Sequence, residues 1–327
     1  MADALTPLAV VGAGAWGTML AQLLAQNPAL SVTLWARRAE AAAQLTQTRK
    51  TPYIPGLNLS ERLTFTGDVN VTERAEAVFI AVPSRNLRDV LGRLPPVRAL
   101  ISGTKGLEPG TLKRPTEVLA ESQPGAALSA LSGPNLVAEL ARGLPSSATV
   151  ASADAALARN VQRWLNQGAF RVYTGADLVG LELGGALKNV IALAAGMCDG
   201  LGLGDNAKAA LVTRGLSEMV RLGVNLGGRV ETFYGLSGLG DLIATCSSGG
   251  SRNHQAGVRF ALGETLSDLE AAHLTAEGIP TVRAVVAYAR ERGLELPISE
   301  AVDEVVKGKA PEQAIRELMG RDAKAEG

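Results

Sequence analysis

The chain has 327 residues, 46% of them hydrophobic and 20% charged, which is enough length for about two domains and too apolar for a disordered chain. Lys plus Arg and Asp plus Glu both number 32, and this balance lacks the positive field that drives non-specific binding to nucleic acid. We therefore expect a compact protein with no nucleic-acid partner.

Up to about residue 177, short apolar runs rich in β-branched residues alternate with helix-like segments. This alternation is typical of a parallel sheet with helices on both faces. Helices are expected between most of the strands, for example over residues 18–26 and 153–165. The predicted strands cover residues 8–12, 31–36, 77–83, 98–103, 127–132, 147–151 and 170–174.

The strand pattern ends after Asp177, and the remaining sequence predicts helices separated by glycine-rich turns at residues 200–205 and 235–241. We place a domain boundary at this change. Residues 1–177 are predicted to form a dinucleotide-binding domain, and residues 178–327 a helical domain for the substrate and the catalytic groups. The expected fold class is an α/β Rossmann-type doubly wound domain followed by an all-α C-terminal domain.

A Gly-x-Gly-x-x-Gly motif, formed by Gly12, Gly14 and Gly17, follows the first predicted strand and opens the first predicted helix. Glycines at these positions permit a tight turn and a close backbone approach, while the free N–H groups and the positive dipole end of the helix favour a pyrophosphate. The spacing also occurs in ordinary glycine-rich turns. Its place between a strand and a helix favours dinucleotide binding.

The second predicted strand ends at Arg37 and Arg38, where NAD-selective sites usually carry an acidic residue that binds the adenosine ribose. Two guanidinium groups could instead bind the 2′-phosphate of NADPH through charge-assisted bidentate bonds. The alternative is a solvated pair at the start of a helix. The arginines favour NADPH over NADH as the preferred cofactor.

Lys188 and Asn189 form a polar pair inside a predicted helix, residues 181–198, that otherwise consists almost wholly of Gly, Ala, Leu, Ile and Val. No carboxylate lies three or four residues from Lys188, so no ion pair within the helix can neutralise it. Burial without a local partner lowers the pKa of a lysine toward values useful for proton transfer. A lysine that reaches solvent from the helix edge is the alternative. The apolar surroundings favour a catalytic acid/base.

Further candidates lie on a glycine turn and at a helix start. Asp241 follows a Gly-Leu-Gly turn. Ser251, Arg252 and Asn253 begin another predicted helix, where backbone N–H groups, a guanidinium and an amide could bind a phosphate. An ordinary capped helix with an exposed arginine fits this segment equally well.

Two segments of the first domain, one at Lys105 and one from Gly133 to Asn135, follow predicted strands. In doubly wound sheets ligands bind beyond the carboxyl ends of the strands, at a switch in strand order. Lys105 is therefore a candidate cation for substrate or cofactor, although a lysine on a surface turn fits the same pattern. The Gly-Pro pair at 133–134 could serve the turn alone.

The residues that are scarce in this sequence also narrow its location and chemistry. No Lys or Arg precedes Arg37, so the apolar start lacks the charged region of a signal peptide, and no apolar run reaches the length of a membrane span. Cys198 and Cys246 lie far apart, which suits a reducing compartment. With His254 and His273 as the sole histidines, we expect no metal site. These features predict a cytoplasmic protein.

Together these segments resemble the bacterial-type NAD(P)-dependent glycerol-3-phosphate dehydrogenases, in the same order and over nearly the entire chain. The resemblance implies a homodimer that uses NADPH or NADH to reduce dihydroxyacetone phosphate to sn-glycerol 3-phosphate for phospholipid synthesis. The strings that carry it are Gly-Ala-Gly-Ala-Trp-Gly-Thr at 12–18, Ser-Gly-Thr-Lys-Gly-Leu-Glu at 102–108, Leu-Ser-Gly-Pro at 131–134, Gly-Gly-Ala-Leu-Lys-Asn-Val at 184–190, Gly-Leu-Gly-Asp at 238–241 and Ser-Arg-Asn at 251–253.

The resemblance also implies roles for individual residues. Lys188 is expected to be the proton donor and acceptor, with Asp241 beside it. The implied substrate contacts are Lys105, Gly133, Asn135, Lys188, Asp241, Ser251, Arg252 and Asn253. The implied cofactor contacts are Gly12, Gly14, Ala15, Trp16, Gly17, Arg37, Arg38, Lys105, Val137, Arg252, Thr275 and Glu277.

Three positions depart from the family pattern. Asn135 stands where Ser or Thr is usual, Val137 where Ala is usual, and Thr275-Ala276 where two valines are common. Two other functions remain open at this point. One is a different two-domain dehydrogenase, such as one acting on a hydroxy acid, and the other is a non-catalytic NADPH-binding sensor. A sensor would need the glycines and arginines but neither Lys188 nor Asp241.

Overall fold

The structure is a computed structural model that describes residues 4–320. Within that range one sheet contains eight strands, which are β1 (Thr6–Val11), β2 (Leu30–Trp35), β3 (Leu63–Thr66), β4 (Ala77–Ile80), β5 (Ala99–Ser102), β6 (Ala127–Ser132), β7 (Ser146–Ser152) and β8 (Phe170–Gly175). Their order across the sheet is β3-β2-β1-β4-β5-β6-β7-β8. The predicted Rossmann-type fold class is confirmed.

Each of the seven predicted strands is present, with ends shifted by a few residues, but β3 was not predicted. β3 is a four-residue strand at the edge of the sheet, where Leu63 is buried and Thr64 exposed. A strand covered on one side has no continuous apolar run. With four residues it is also too short to show a clear alternation of apolar and polar residues, so the sequence pattern did not reveal it.

The sheet is parallel except where β6 pairs with β7 in the antiparallel direction. The helix in the connection between them, α5 (Val137–Ala141), has five residues and rises about 7.5 Å. A parallel return would have to run back along a six-residue strand, about 20 Å long. The short connection therefore brings β7 back in the opposite direction, so the predicted parallel sheet contains one antiparallel pair.

Helices lie between the strands of this half of the chain. They are α1 (Ala15–Leu24), α2 (Ala39–Thr48), α3 (Leu87–Leu91), α4 (Pro115–Ser122), α5 and α6 (Ala155–Leu165). From β1 the chain moves outward through β2 to β3 and then returns to β4 on the other side of β1. This reversal opens a crevice at the carboxyl ends of β1 and β4. Gly12 follows β1, and the segment that carries Lys105 follows β5 at the same edge.

After Gly175 the described residues are helical. The helices are α7 (Leu178–Gly200), α8 (Gly204–Asn225), α9 (Val230–Phe233), α10 (Asp241–Ser247), α11 (Arg252–Ala261), α12 (Leu266–Ala271), α13 (Gly278–Arg292), α14 (Pro297–Val306) and α15 (Pro311–Met319). Two predicted turns are shorter than expected. Asp205 already lies in α8, and a turn of π-helix (Leu236–Gly240) leads directly into α10, so Asp241 begins a helix.

α7 is the central helix of this half, and its residues from Gly180 to Cys198 are all buried. Among residues 4–320 it alone has the length and hydropathy of a membrane span, but 89% of its most apolar window is buried inside the protein. Contact with the other helices accounts for its apolar sequence. Leu107, from the segment after β5, belongs to the same apolar core. The domain division at residue 177 stays a prediction, since the two halves share this packing.

Candidate active site

The glycine-rich turn after β1 is shaped by steric limits. Gly12 has a φ of +115°, and a Cβ there would lie 2.6 Å from the carbonyl oxygen of Ala81. A Cβ on Gly17 would lie 1.9 Å from the carbonyl oxygen of Gly12. By contrast, a Cβ on Gly14, the N-cap of α1, would meet no atom within 4 Å. The turn is closed against the protein at Gly12 and Gly17 and open at Gly14, where phosphate groups can approach the N–H groups of α1.

Ala15 and Trp16 form the first turn of α1, and the Trp16 indole has an unpaired donor. Its Nε1 atom is buried and has no hydrogen-bond partner among residues 4–320. This nitrogen lies against Gly103, where an added Cβ would be 2.8 Å from it. A buried donor without a partner costs free energy. The open glycine turn and the free indole N–H therefore fit a ligand that supplies acceptors at this edge of the sheet, as NAD(P)H does.

Arg37 and Arg38 lie directly after β2, the strand next to β1. Arg38 is the N-cap of α2, and both residues are exposed. The carboxyl end of this strand is where the adenosine ribose of a bound dinucleotide would lie. Exposed guanidinium groups can bind a 2′-phosphate or water equally well. The preference for NADPH thus stays a prediction.

Two lysines from different halves of the chain share one buried carboxylate. Lys188 Nζ donates to Asp241 Oδ1 at 2.6 Å and to Thr245 Oγ1 at 2.7 Å. Lys105 Nζ donates to Asp241 Oδ2 at 2.8 Å and to the carbonyl oxygen of Gly133 at 2.7 Å. Lys188 is 6% exposed and Asp241 is 2% exposed, whereas the Lys105 side chain is 20% exposed. This lysine cluster therefore has a buried end at Lys188 and a more open end at Lys105.

Burial and the neighbouring charges bring the pKa of Lys188 closer to neutral pH. Burial lowers the pKa of Lys188, the Asp241 carboxylate raises it and the positive charge of Lys105 lowers it again, which leaves the pKa at about 8. Burial also opposes ionisation of Asp241, but the two lysines outweigh this effect and hold its pKa below the usual value. The result is an ionised carboxylate beside an ammonium group that can exchange a proton near neutral pH.

A series of amide hydrogen bonds connects the lysine cluster to the start of α11. Asn189 Nδ2 donates to the carbonyl oxygen of Lys105 at 3.3 Å, and Asn253 Nδ2 donates to Asn189 Oδ1 at 2.8 Å. Asn253 Oδ1 accepts from the backbone N–H of Gly278 at 2.9 Å. The Asn253 amide thus holds α11 and α13 against α7. Its contact with the substrate stays a prediction.

The start of α11 combines a cap with an exposed cation. Ser251 Oγ accepts from the backbone N–H of His254 at 3.3 Å, so Ser251 is the N-cap of the helix. Arg252, the first residue of α11, is exposed. The predicted helix start is correct. The predicted binding of a phosphate there is untested, and the free end of α11 beside an available guanidinium is suited to it.

Two predicted cofactor residues of the helical half meet the first half at the end of β4. Glu277 Oε2 accepts from Ser84 Oγ at 2.6 Å, and Arg85 Nη2 donates to Thr275 Oγ1 at 3.5 Å. Burial raises the pKa of Glu277, against the opposing effects of the Ser84 hydrogen bond and the charge of Arg252. Ser84 and Arg85 follow β4, which borders the crevice. The fold therefore brings Thr275 and Glu277 to the side of the predicted cofactor site.

Asn135 and Val137 lie after β6. Asn135 Nδ2 donates to Ser146 Oγ at 3.2 Å and to the carbonyl oxygen of Ser147 at 3.0 Å, which ties this segment to β7. Its Oδ1 is buried and unpaired among the described residues. Val137 begins α5 and packs against the apolar core of the first half. Within residues 4–320 neither side chain is hydrogen-bonded to the lysine cluster, so their ligand contacts stay predictions.

Two residues that contact the lysine cluster were missing from the predicted site. Thr245 lies four residues after Asp241 on α10, and residues at this spacing share one face of a helix. Once Asp241 is a candidate, that spacing is the signal for Thr245. Asn189 was noted as part of a polar pair with Lys188 but was given no role. The same apolar surroundings that singled out Lys188 also applied to Asn189.

Comparisons with known proteins agree with this geometry. Family profiles for the N-terminus and the C-terminus of NAD-dependent glycerol-3-phosphate dehydrogenase match residues 7–158 and 177–317. Proteins named glycerol-3-phosphate dehydrogenase (NAD(P)+) from Thiobacillus denitrificans and Thermus thermophilus are 47% and 49% identical to this chain, and each match covers 98% of this chain and 99% of the relative. The crystal structure of glycerol-3-phosphate dehydrogenase from Coxiella burnetii has a TM-score of 0.91 and 34% identity, and covers 97% of this chain and 99% of that one.

Proposed function

Since the chain belongs to the NAD-dependent glycerol-3-phosphate dehydrogenase family and is an NAD(P)-dependent oxidoreductase acting on the CH–OH group of glycerol 3-phosphate, we propose that Lys188 is its proton donor and acceptor. The observation that carries this proposal is a buried ammonium group, 2.6 Å from Asp241 and with a pKa of about 8. A group with such a pKa is populated in both protonation states near neutral pH.

In the proposed mechanism the protein binds the substrate and moves one proton, while the nicotinamide cofactor, when bound, would supply the hydride as NAD(P)H in reduction and accept it as NAD(P)+ in oxidation. Lys188 Nζ donates its proton to the ketone oxygen in reduction and accepts the hydroxyl proton in oxidation. Asp241 and Thr245 accept hydrogen bonds from Nζ and so fix its direction. Lys105 contributes a second positive charge at the open end of the cluster, where an anionic substrate enters.

We assign the phosphate of the substrate to the start of α11. Ser251, Arg252 and Asn253 lie there, and the helix end offers backbone N–H groups together with a guanidinium. Asn253 is joined through Asn189 to the backbone of Lys105, so a phosphate bound at α11 lies on the same rigid support as the lysine cluster. Gly133 and Asn135 complete the proposed pocket. Fixed anchoring of the remote phosphate serves to align the reacting carbonyl.

The cofactor contacts in this proposal follow the crevice at β1 and β4. The pyrophosphate and the groups next to it lie against the glycine turn, Ala15 and Trp16. The 2′-phosphate lies against Arg37 and Arg38. The rest of the cofactor site is lined by Lys105, Val137, Arg252, Thr275 and Glu277. The two arginines make NADPH the preferred cofactor. We further propose that the enzyme acts as a homodimer in the cytoplasm and supplies glycerol 3-phosphate for phospholipid synthesis.

The test is a spectrophotometric comparison of NADPH and NADH oxidation with dihydroxyacetone phosphate and with unphosphorylated dihydroxyacetone. We expect efficient oxidation with the phosphorylated ketone alone, and a lower KM for NADPH than for NADH. Equal rates with both ketones would remove the phosphate site from the proposal. Oxidation with a 2-oxo acid instead would favour a hydroxy-acid dehydrogenase, and oxidation with no ketone would favour a cofactor sensor.

A further inference from the structure

The segment between β5 and α4 connects the two halves of the molecule. We call residues 103–114, which carry Lys105, the Lys105 loop. Leu107 in this loop is 1% exposed and packs into the apolar core formed by the helices of the second half. The loop is thus attached covalently to the sheet and packed on α7. Its position relative to Lys188 depends on what fixes it to that helix.

Two side chains of α7 hold the Lys105 loop. Near its start, Asn189 Nδ2 donates to the carbonyl oxygen of Lys105 at 3.3 Å. At its end, the carboxylate of Glu182 accepts from Arg114 Nη1 at 2.8 Å and from the backbone N–H of Thr116 at 2.9 Å, and the Thr116 hydroxyl donates to it as well. Glu182 precedes Lys188 by six residues, which is about 9 Å along the helix. The loop is therefore held at both ends.

The Glu182 carboxylate is costly to bury. Its side chain is 2% exposed, and burial raises its pKa in spite of the donors around it. Pro115 has no N–H, so the N–H of Thr116 is the first free donor of α4, and a carboxylate there also matches the helix dipole. Replacement of both partners of a buried ion pair by well-packed apolar groups often costs little stability, so stability alone does not explain why the charge of Glu182 is placed here.

We infer that Glu182 is a positioning residue, which fixes the Lys105 loop on α7 so that Lys105 and Lys188 meet the Asp241 carboxylate at a constant separation. The carboxylate of Glu182 is bonded to Arg114 and Thr116, and in this proposal it acts only through the position of Lys105. The inference rests on the proposed role of Lys188. It gives a buried glutamate outside the predicted site a role in holding the two lysines in position.

This arrangement has a consequence for the pH dependence of the reaction. The charge of Lys105 is one of the influences that lower the pKa of Lys188, and Lys105 also shares the carboxylate that raises it. If the loop loosens and Lys105 withdraws, the pKa of Lys188 must rise on both grounds. Reduction needs the protonated lysine, so the pH at which reduction is lost moves upward.

The experiment compares Glu182→Gln with Glu218→Gln in the full chain. Glu218 is an equally buried glutamate, 4% exposed, that accepts from Ile298 N, Ser299 N and Ser299 Oγ at the start of α14, away from the Lys105 loop. Both variants lose a buried carboxylate at a helix start. We expect a similar change in Tm for the two. Only Glu182→Gln should move the alkaline limb of kcat/KM for dihydroxyacetone phosphate to higher pH and lower its plateau about tenfold.

Hydrogen exchange gives a second readout that does not depend on catalysis. In Glu182→Gln the backbone amides of residues 103–114 should exchange about tenfold faster than in the parent chain, and in Glu218→Gln they should not. An unshifted pH limb together with unchanged exchange in Glu182→Gln would overturn the inference. A parent enzyme without any pH limb would count against Lys188 instead, while the exchange result would still decide the role of Glu182.

A gentler substitution covers the case in which Glu182→Gln does not fold. Thr116→Val keeps the shape of the side chain and removes one donor to Glu182 at the start of α4, directly after the loop. It should shift the pH limb and the loop exchange in the same directions by smaller amounts. If Thr116→Val leaves both at parent values, the inference is wrong.

Discussion

The glycine turn after β1 and the lysine cluster between α7 and α10, which we propose as the cofactor site and the catalytic site, are built in different ways. The turn lies within six consecutive residues, 12–17, and offers backbone N–H groups and space. The cluster joins side chains that are up to 136 positions apart, and its chemistry depends on their exclusion from water. Substitutions in the turn should therefore change cofactor binding, whereas substitutions in the cluster should change the chemical step.

The largest effect is expected from Lys188→Met, which keeps the length of the side chain and removes the proton. We expect kcat to fall about 100- to 10,000-fold, since the loss of a general acid costs that much. The dissociation constant for NADPH, measured by fluorescence titration, should not change. Lys208→Met on α8 is the matched control, because Lys208 pairs with Asp199 outside the cluster. Near-normal turnover of Lys188→Met would show that Lys188 is not the proton donor and that the cluster does not carry the chemical step.

An intermediate effect is expected from Arg252→Ala, since Arg252 lies between the two regions. Loss of a charge-assisted bond to the phosphate should raise KM for dihydroxyacetone phosphate about 10- to 100-fold. The value of kcat/KM for unphosphorylated dihydroxyacetone should stay the same. Arg259→Ala, on the same helix but paired with Glu264, should behave like the parent enzyme. An unchanged KM in Arg252→Ala would remove this residue from the phosphate site.

The smallest effect is expected from Gly14→Ala. Its Cβ would meet no protein atom within 4 Å, so Tm should change little, but it would occupy the space that we propose for the pyrophosphate. We expect NADPH to bind about tenfold more weakly, or ~1.4 kcal/mol, with kcat at saturating cofactor preserved. Gly12→Ala is the contrasting variant, because its Cβ would clash with Ala81 and should lower Tm as well. If Gly14→Ala binds NADPH as tightly as the parent enzyme, the pyrophosphate does not lie at the glycine turn.

Patterns within short segments predicted most of the fold. Seven of the strands, the change to helices after Asp177 and the helix start at Arg252 follow from periodicity and from capping residues. The edge strand β3 and the direction of β7 were not predicted. β3 is covered by the protein on one side alone and so has no continuous apolar run, and the direction of β7 depends on the short connection from β6. The spacing from Asp241 points to Thr245, but the hydrogen bond between Thr245 and Lys188 also requires the position of α10 against α7.

From the sequence alone, the glycine spacing after a strand, the absence of a local partner for Lys188 and the order of the family motifs determined the fold class, the enzyme family and the candidate acid/base. The family resemblance placed Asp241 beside Lys188. Tertiary structure decided the contacts themselves, in which Asp241 bonds both Lys188 and Lys105, and Glu182 holds the loop that carries Lys105. The physical reason is the range of the forces involved. Steric limits and helix periodicity act between neighbouring residues, whereas the pKa of a buried group depends on every charge and every solvent-excluding atom that folding brings near it.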